Sequence, residues 1–588
     1  MRLTHVAHLR LPFGRLWGYQ VGVEVTGETV PVSFDQRLHV GAGDRAGSWM
    51  ALSFRLTRAV DKDDLAAAWL AVIARHGTLR TVFEEGPDGP TLQQIGVSPG
   101  EWVEHRIEPG QTMHDALRET LDEFCRPYGA PSHRLVLIET AAGPSIVVAA
   151  DHSHLDMWSL LVLTRDLLRA LGEAEAGEMP SVEVAPAFAD HTRALLARPS
   201  APDEIRERWS EILTASGGVM PRFPLPLGKI DQPQPERVEI RDVLDVDATA
   251  SFGAEAADRG VSTLALAVAA MTAVTLELVG EPLRAVFPVH SRYHPEWHSS
   301  VGWFITNAVI ESTSTDPQAC AAAVREAISL GSWPLADVLE PWGGWPSAPG
   351  MFAVSWLDLR RLPVRIDSVG LDAEYVSAAI RTSGVMVWLI LDERGLRLRC
   401  RYPDTDQARA SVGHWLDNLV SHLQAQATMS VGGLLRLDSG TFRVERAARS
   451  DATRLVQLLT DDEIGATREG ADLARYEAAY DAIAQDQQQY LVAVRDADGL
   501  VVATMQLTII PGLSRRGSTR LQIEGLRVTP ALRGKGLGTA MLEWAHEHGR
   551  ARGAQLAQVT TDAARTRARD FYTKLGYETS HVGLKRPL

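Results

Sequence analysis

Near the C-terminus a strand-like alternation, Gln522-Ile523-Glu524-Gly525-Leu526-Arg527-Val528, runs through Thr529-Pro530 into Arg533-Gly534-Lys535-Gly536-Leu537-Gly538-Thr539, and an amphipathic helix follows over 540–550. Three glycines at alternate positions, where strand turns to helix, let backbone N–H groups converge on an anion, while the helix N-terminus adds its partial positive charge. The pattern predicts a pyrophosphate cradle in a unit of mixed strands and helices. It is not the dinucleotide fingerprint, because the glycine spacing differs and no βαβ unit with an acidic ribose ligand follows. Nor is it a P-loop, which ends in Gly-Lys-Ser/Thr.

That unit accounts for only part of the chain. A chain of 588 residues exceeds what one core supports, about 250–300 residues, so two to four folded units are expected. With 45% hydrophobic and 23% charged residues, it reads as globular rather than disordered or fibrous. The 59 Lys+Arg against 74 Asp+Glu give a formal charge of −15, so the whole-chain field attracts neither nucleic acid nor anionic lipid. No apolar stretch approaches the ~18 residues of a membrane span, and the first 19 residues lack the run of a secretion signal. The expected location is cytoplasmic, with no membrane or nucleic-acid partner. Cys125, Cys320 and Cys400 stand far apart with no CxxC or Cys/His pairing, so they read as buried thiols and no metal site is expected.

Strands and helices intermingle along the chain. Residues 49–57 read as a strand, 62–76 as a helix, 135–150 as a strand pair turning at Gly143-Pro144, and 158–171 as a helix. Further on, 237–246 reads as a strand, 261–278 as a long helix, 283–288 as a short buried strand and 408–424 as a helix. The Pro/Trp-rich stretch 333–350 reads as a loop. An acidic, Pro-containing stretch at 172–186 marks a first lobe boundary, and the Gly/Ser-containing stretch 430–440 marks the main one.

The apolar strand ending Val147-Val148-Ala149-Ala150 leads into Asp151-His152-Ser153-His154-Leu155-Asp156-Met157-Trp158-Ser159. A buried strand fixes such a loop and the loop exposes the ring, which is where a positioned acid–base group would sit. Taken alone, His152 and Asp156 also read as a structural pair. The loop stands in a series: Ser33-Phe34-Asp35-Gln36-Arg37, Arg75-His76-Gly77-Thr78-Leu79-Arg80-Thr81-Val82-Phe83, the His152 loop, Phe188-Ala189-Asp190-His191, and Val301-Gly302-Trp303-Phe304-Ile305-Thr306-Asn307.

This succession, over about 25–425, resembles the condensation domains of nonribosomal peptide synthetases and their free-standing acyltransferase relatives. The resemblance implies an α/β (α+β) fold of two chloramphenicol-acetyltransferase-like lobes in a pseudo-dimer arrangement, with the His loop at their junction. It places the residue beside the attacking amine or hydroxyl at His152, which needs a neutral ring with a free lone pair. It pairs Asp156 with an Arg of the second lobe, for which Arg292 is the candidate. Two positions depart from the family pattern. The motif's first His is Asp151, which would raise the basicity of a neighbouring imidazole, and its Gly is Met157, whose side chain would narrow a tunnel or re-aim the loop. If the register is two residues off, His154 is the base, because an extended loop points both rings the same way. His76 reads as structural.

The Gly-rich bend, with Val559-Thr560-Thr561-Asp562 and Phe571-Tyr572-Thr573-Lys574-Leu575-Gly576-Tyr577 after it, resembles the GNAT acetyltransferases over about 441–588. The resemblance implies a mixed-sheet domain binding acetyl-CoA. The pyrophosphate would lie on the amides of Arg533, Gly534, Lys535, Gly536, Leu537, Gly538 and Thr539, and the pantetheine arm along Leu526, Arg527 and Val528. Tyr572 would protonate the departing thiolate, and Glu524 would serve as base through water.

The organisation expected is a first lobe at 1–178, a second at 179–430, a linker at 431–440 and the acetyltransferase domain at 441–588. The function expected is that of a bifunctional acyltransferase of natural-product biosynthesis. One part would join an acyl thioester, carried by phosphopantetheine or CoA, to a small-molecule amine or alcohol acceptor; the other would acetylate an amine. An acyl or peptidyl carrier protein is a possible partner. The alternative is a first region that only binds its substrate or carrier, leaving the chemistry to the second.

Overall fold

The computed structural model describes residues 2–588 except 429–432, 462–465, 468–469, 471, 487, 563, 581–585 and 587–588. The chain divides into two compact units. One holds Met1–Asp242, Ala267–Asp392 and Leu396–Leu419; the other holds Val243–Leu266, Glu393–Gly395 and Val420–Leu588.

The first unit contains two mixed sheets. In the eight-stranded sheet the order is Arg2–His5, Glu374–Ser377, Trp49–Arg55, Ser145–Asp151, His133–Thr140, Gly14–Val30, Gly89–His105, Thr81–Gly86. Strand Ser145–Asp151 is buried along its whole length, because both faces of the sheet are covered. Ile146, Val148 and Ala150 face helices Lys62–Arg75 and Met157–Glu175. Val147 and Ala149 alternate to the other face and meet Leu117 and Leu121 of helix Met113–Phe124. This double cover explains the unbroken apolar run that leads into the His152 loop.

The seven-stranded sheet runs Ile305–Ser312, Leu283–His290, Phe352–Asp358, Val385–Asp392, Gly395–Pro403, Gln234–Leu244, Arg381–Thr382. In Gly395–Pro403 the residues Leu396, Leu398, Cys400 and Tyr402 are fully buried, which assigns Arg397, Arg399 and Arg401 to the opposite face. All three cysteines are free and buried.

Strand Glu374–Ser377 lies far along the chain yet sits inside the first sheet, parallel to Arg2–His5 and antiparallel to Trp49–Arg55. Its four residues carry no periodicity, and the sequence reading contained no strand there. The long elements otherwise fall close to expectation, with helices at Lys62–Arg75, Thr263–Val279 and Asp406–Thr428.

The second unit has a six-stranded sheet, Gly433–Leu437, Gly440–Arg446, Gln489–Arg495, Val501–Ile510, Thr519–Val528, Ala554–Val559. The expected linker 431–440 needs correction. Residues 431–432 lie outside the described residues, and Gly433–Leu437 is a strand paired antiparallel with Gly440–Arg446, burying Leu435 in the core of the sheet. Asp438 and Ser439 form the two-residue hairpin turn, and Gly440 opens the next strand at φ +134. Helix Val246–Asp258 also belongs to this unit, where the buried carboxylate of Asp247 accepts from Arg446 at 3.2 Å and from Arg552.

Candidate active sites

In the first unit the His152 loop is a short 3-10 turn, His152–His154, not an extended segment. The turn separates the two rings. His154 is buried, and its Nε2 meets the Thr81 carbonyl at 3.1 Å; it therefore does not share the direction of His152, contrary to the extended-loop expectation. The half-buried His152 keeps an accessible edge. Its Nδ1 lies 2.9 Å from the Leu155 carbonyl, and a carbonyl only accepts, so the proton sits on Nδ1 and the lone pair on Nε2. Among the described residues Nε2 has no hydrogen-bond partner. The ring stacks on Trp303, with centroids 4.2 Å apart and planes 14° apart. Burial, with the neighbouring His39 adding to it, pushes the His152 ring below the ordinary histidine value, which keeps it neutral.

Asp156 caps the helix Met157–Glu175, its Oδ1 accepting from Ser159 N at 2.7 Å. Its Oδ2 accepts from Arg292 Nη1 at 2.6 Å and from Phe304 N at 3.1 Å. Arg292 is 2% exposed. Its other N–H groups donate to Ser159 Oγ at 2.9 Å, the Ser300 carbonyl at 3.0 Å and the Trp297 carbonyl at 3.2 Å. Ser159 Oγ in turn donates to the Gly302 carbonyl and accepts from the Gly302 amide. Both partners of the ion pair are thus committed to neighbouring groups. They tie the loop that carries His152 to the strand-end segments around Ser300 and Phe304. Gly302 is required by close approach, since a Cβ there would stand 2.4 Å from Phe188 Cγ. Gly302→Ala is expected to destabilise the unit by about 1–3 kcal/mol, seen as a lowered urea midpoint with unchanged m-value.

Asp151 makes no hydrogen bond to His152, although its charge acts to raise that ring's basicity against burial. Its carboxylate is wholly buried, accepts from Ser48 Oγ, Ser153 Oγ and Ser153 N, and lies 3.3 Å from His39 Nε2. The imidazole it serves is that of His39, on helix Phe34–Val40, whose ring edges onto Trp303 at 5.1 Å and His152 at 6.1 Å. Sequence reading missed His39, although it stands one turn beyond Asp35 on the same helix face. Met157 sits in the first turn of its helix and is not among the left-handed residues, so a glycine's backbone freedom is unused there. Its carbonyl accepts from Tyr375 Oη at 3.0 Å, and its side chain packs on the first-lobe core.

His76 pairs with Asp166 at 2.9 Å in the core, the structural place expected for it. Asp151 and Asp166 are both held at about 2, below the ordinary 3.8, by neighbouring histidines that offset burial, His39 and His76 respectively. The unfolded chain takes up these protons first as pH falls. The two carboxylates therefore stabilise the fold above about pH 4 and lose that contribution between about pH 4 and pH 2. Thermal unfolding followed by circular dichroism over that range should show the midpoint falling.

In the second unit, strand Thr519–Val528 pairs parallel with Ala554–Val559 only as far as Ile523↔Val559. Beyond Ile523 the two strands part, starting at the exposed Glu524 and at Gly525, which has φ +61 and interrupts the register with Val501–Ile510. The backbone of 524–528 thus has no strand partner on that side among the described residues. The bend that follows leads into helix Leu537–Ala551 through Gly534 and Gly536, at φ +76 and +87, where an L side chain is strained. The amides of Arg533 and Lys535 are spent on the carbonyls of Pro530 and Leu532, at 3.2 and 3.3 Å. Those of Gly534, Gly536, Leu537, Gly538 and Thr539 have no acceptor among the described residues. The Arg533 side chain braces the bend, donating to the Val528 carbonyl and to Asp461. Tyr572 is half-buried on helix Thr566–Lys574. Burial pushes its phenol up against the opposing charges of Arg527 and Arg565, so it stays protonated at neutral pH.

Residues 28–329, about half of the chain, match the family model described as Condensation domain, and 453–577 match that described as Acetyltransferase (GNAT) family. The chain belongs to the condensation-domain family and carries a GNAT acetyltransferase domain in its C-terminal part. It is similar to the nonribosomal peptide synthetase CymA of Salinispora arenicola, 29% identical over 313 residues, which are 49% of this chain and only 4% of that one. Its C-terminal part is similar to the aminoalkylphosphonate N-acetyltransferase of Salmonella typhimurium, 37% identical over 67 residues, 11% of this chain and 44% of the other. Among solved structures, PapA2 acyl transferase shares the fold, with a TM-score of 0.65 at 19% identity over 73% of this chain and all of that one. Among the described residues no helix is long and apolar enough to cross a membrane and no group of side chains forms a metal site.

Proposed function

We propose that the chain is a two-site acyltransferase of small-molecule natural-product assembly. At the first site an acyl thioester meets an amine or hydroxyl acceptor beside His152. Its Nε2 takes the proton of the attacking nucleophile as the new bond forms to the thioester carbonyl, and the thiolate leaves. The observation that carries this reading is the neutral His152 ring, tied through Nδ1 to the Leu155 carbonyl and stacked on Trp303, with Nε2 unpaired. Asp156 and Arg292 hold the loop at the second lobe. A carrier protein or CoA would bring the donor. The test is formation of an acyl amide or ester by the purified chain from an acyl-pantetheine thioester and a panel of amines and alcohols, read by mass spectrometry.

At the second site the residues present fit acetyl-CoA. The unpaired amides of Gly534 and 536–539 suit a diphosphate, and the parted strands leave the backbone of 524–528 for the pantetheine arm. When bound, that group supplies an activated acetyl. The chain's own part is to orient it, to draw a proton from the amine through water at Glu524, and to give one from Tyr572 to the departing thiolate. Gly536→Asp combines a strained backbone with a repelling charge, and should weaken acetyl-CoA binding by at least about tenfold in calorimetry. The product of the first site should form at its usual rate.

A further inference from the structure

The face of strand Gly395–Pro403 opposite its buried core carries Arg397, Arg399 and Arg401. Arg397 is satisfied, reaching Asp242 at 2.9 Å and Asp392 at 3.2 Å. Arg399 is not. It is 2% exposed, its only hydrogen bond among the described residues runs from Nη2 to Ser377 Oγ at 2.7 Å, and its Nε has no partner. Arg401 donates through Nη2 to Met386 Sδ and stands 3.7 Å from Glu236, one of whose carboxylate oxygens is likewise unpartnered. Both guanidinium groups lie over the Trp388 ring, at 4.8 and 5.3 Å from its centroid. Glu236, whose other oxygen accepts from Ile380 N at 3.0 Å and lies 3.4 Å from His5, is thus the nearby carboxylate for the buried Arg399 and the part-buried Arg401. A small, partly open recess adjoins Arg399, lined also by Arg2, Leu3, Ile240, Ile390, Arg397 and Leu398.

A buried guanidinium left without a counter-charge costs several kcal/mol, and planar forks of N–H groups match oxy-anions. The site also lies near the first active site. Ser377 pairs with Met50, and Met50 with Ala150, so at about 4.8 Å per strand Ser377 stands roughly 10 Å from the residue two before His152.

We propose that Arg399, with Arg401, forms an anion-recognition site that holds an acid group of the substrate condensed at His152. The inference rests on the reading of His152 given above. The oxy-anion is either a carboxylate of the acceptor or acyl chain, or the phosphate of the pantetheine arm. Depth favours the carboxylate, because the arm is long and its phosphate belongs near the mouth of a cleft. An amino acid tethered as a thioester has already spent its α-carboxyl. A carboxylate held here therefore belongs to an untethered acceptor or to an acidic side chain.

The full chain should be titrated by calorimetry with glutarate against glutaramide, and with 4′-phosphopantetheine against pantetheine. At least one acid should bind tenfold or more tightly than its neutral partner, and the pair that shows the difference names the source. Arg399→Met should abolish the difference while keeping or raising the melting temperature, since it removes an uncompensated buried charge. Equal binding of acid and neutral probes, or a discrimination that survives in the variant, overturns the site. So does a large fall in melting temperature, which would mark Arg399 as structural. Loss of discrimination in Arg399→Met together with full condensation by His152→Ala would keep this site and refute the role given to His152.

Discussion

Arg292→Ala is expected to lower the stability of the first unit by about 3–5 kcal/mol, the range for breaking a buried ion pair by removing one partner. The variant leaves Asp156 Oδ2 in a dry site with only the Phe304 amide and takes one donor each from Ser159 Oγ and the Ser300 and Trp297 carbonyls. It also empties the space between Phe304 and Trp158, whose rings the guanidinium covers at 4.0 and 4.9 Å. Urea unfolding of the two proteins measures the loss. Most of the cost is the stranded charge, so adding Asp156→Asn, which keeps a capping oxygen, to Arg292→Met should restore much of it. An Arg292→Ala protein that unfolds at the wild-type midpoint would falsify the account of this pair.

His152→Ala is expected to slow condensation by about 10²–10⁴-fold while leaving the melting temperature near that of the parent, because the ring is half-buried and makes one hydrogen bond. The pH profile carries a further expectation. The base form is the neutral ring, and its depressed pKa keeps that form present to lower pH. The acid limb of kcat/KM should therefore lie below the ordinary histidine value of 6.5 and vanish in the variant. Unchanged product yield in a reconstituted assay would make the first region a binding module.

The His152 loop was legible because it follows an unbroken apolar strand and because the surrounding segments occur in a recognisable order. The partnership of Asp156 with Arg292 was legible only through that likeness, since 136 residues separate the two and no local pattern joins them. His39 was not legible. It sits on a seven-residue helix too short for periodicity to declare a face, and apart from Arg45 its partners come from two distant segments, Asp151-His152 and Trp303. The aim of His154 depended on a tight turn that alternation mistook for extended chain. Strand Gly433–Leu437 was hidden by the Gly/Ser-containing composition of the stretch, which suits a hairpin as readily as a linker. The unpaired amides of the Gly-rich bend were read almost as they stand, because glycine spacing between strand and helix leaves few conformations; which two amides were already spent needed coordinates.

Strand Glu374–Ser377 has a practical consequence for anyone dissecting the chain. Cutting after residue 329, where the condensation-family match ends, removes the neighbour that Trp49–Arg55 pairs with on one side. The truncated piece would then present a bare row of N–H and C=O groups, open to association with other copies. A soluble fragment for biophysical work therefore has to run past 377, even though the recognisable motifs stop well before it.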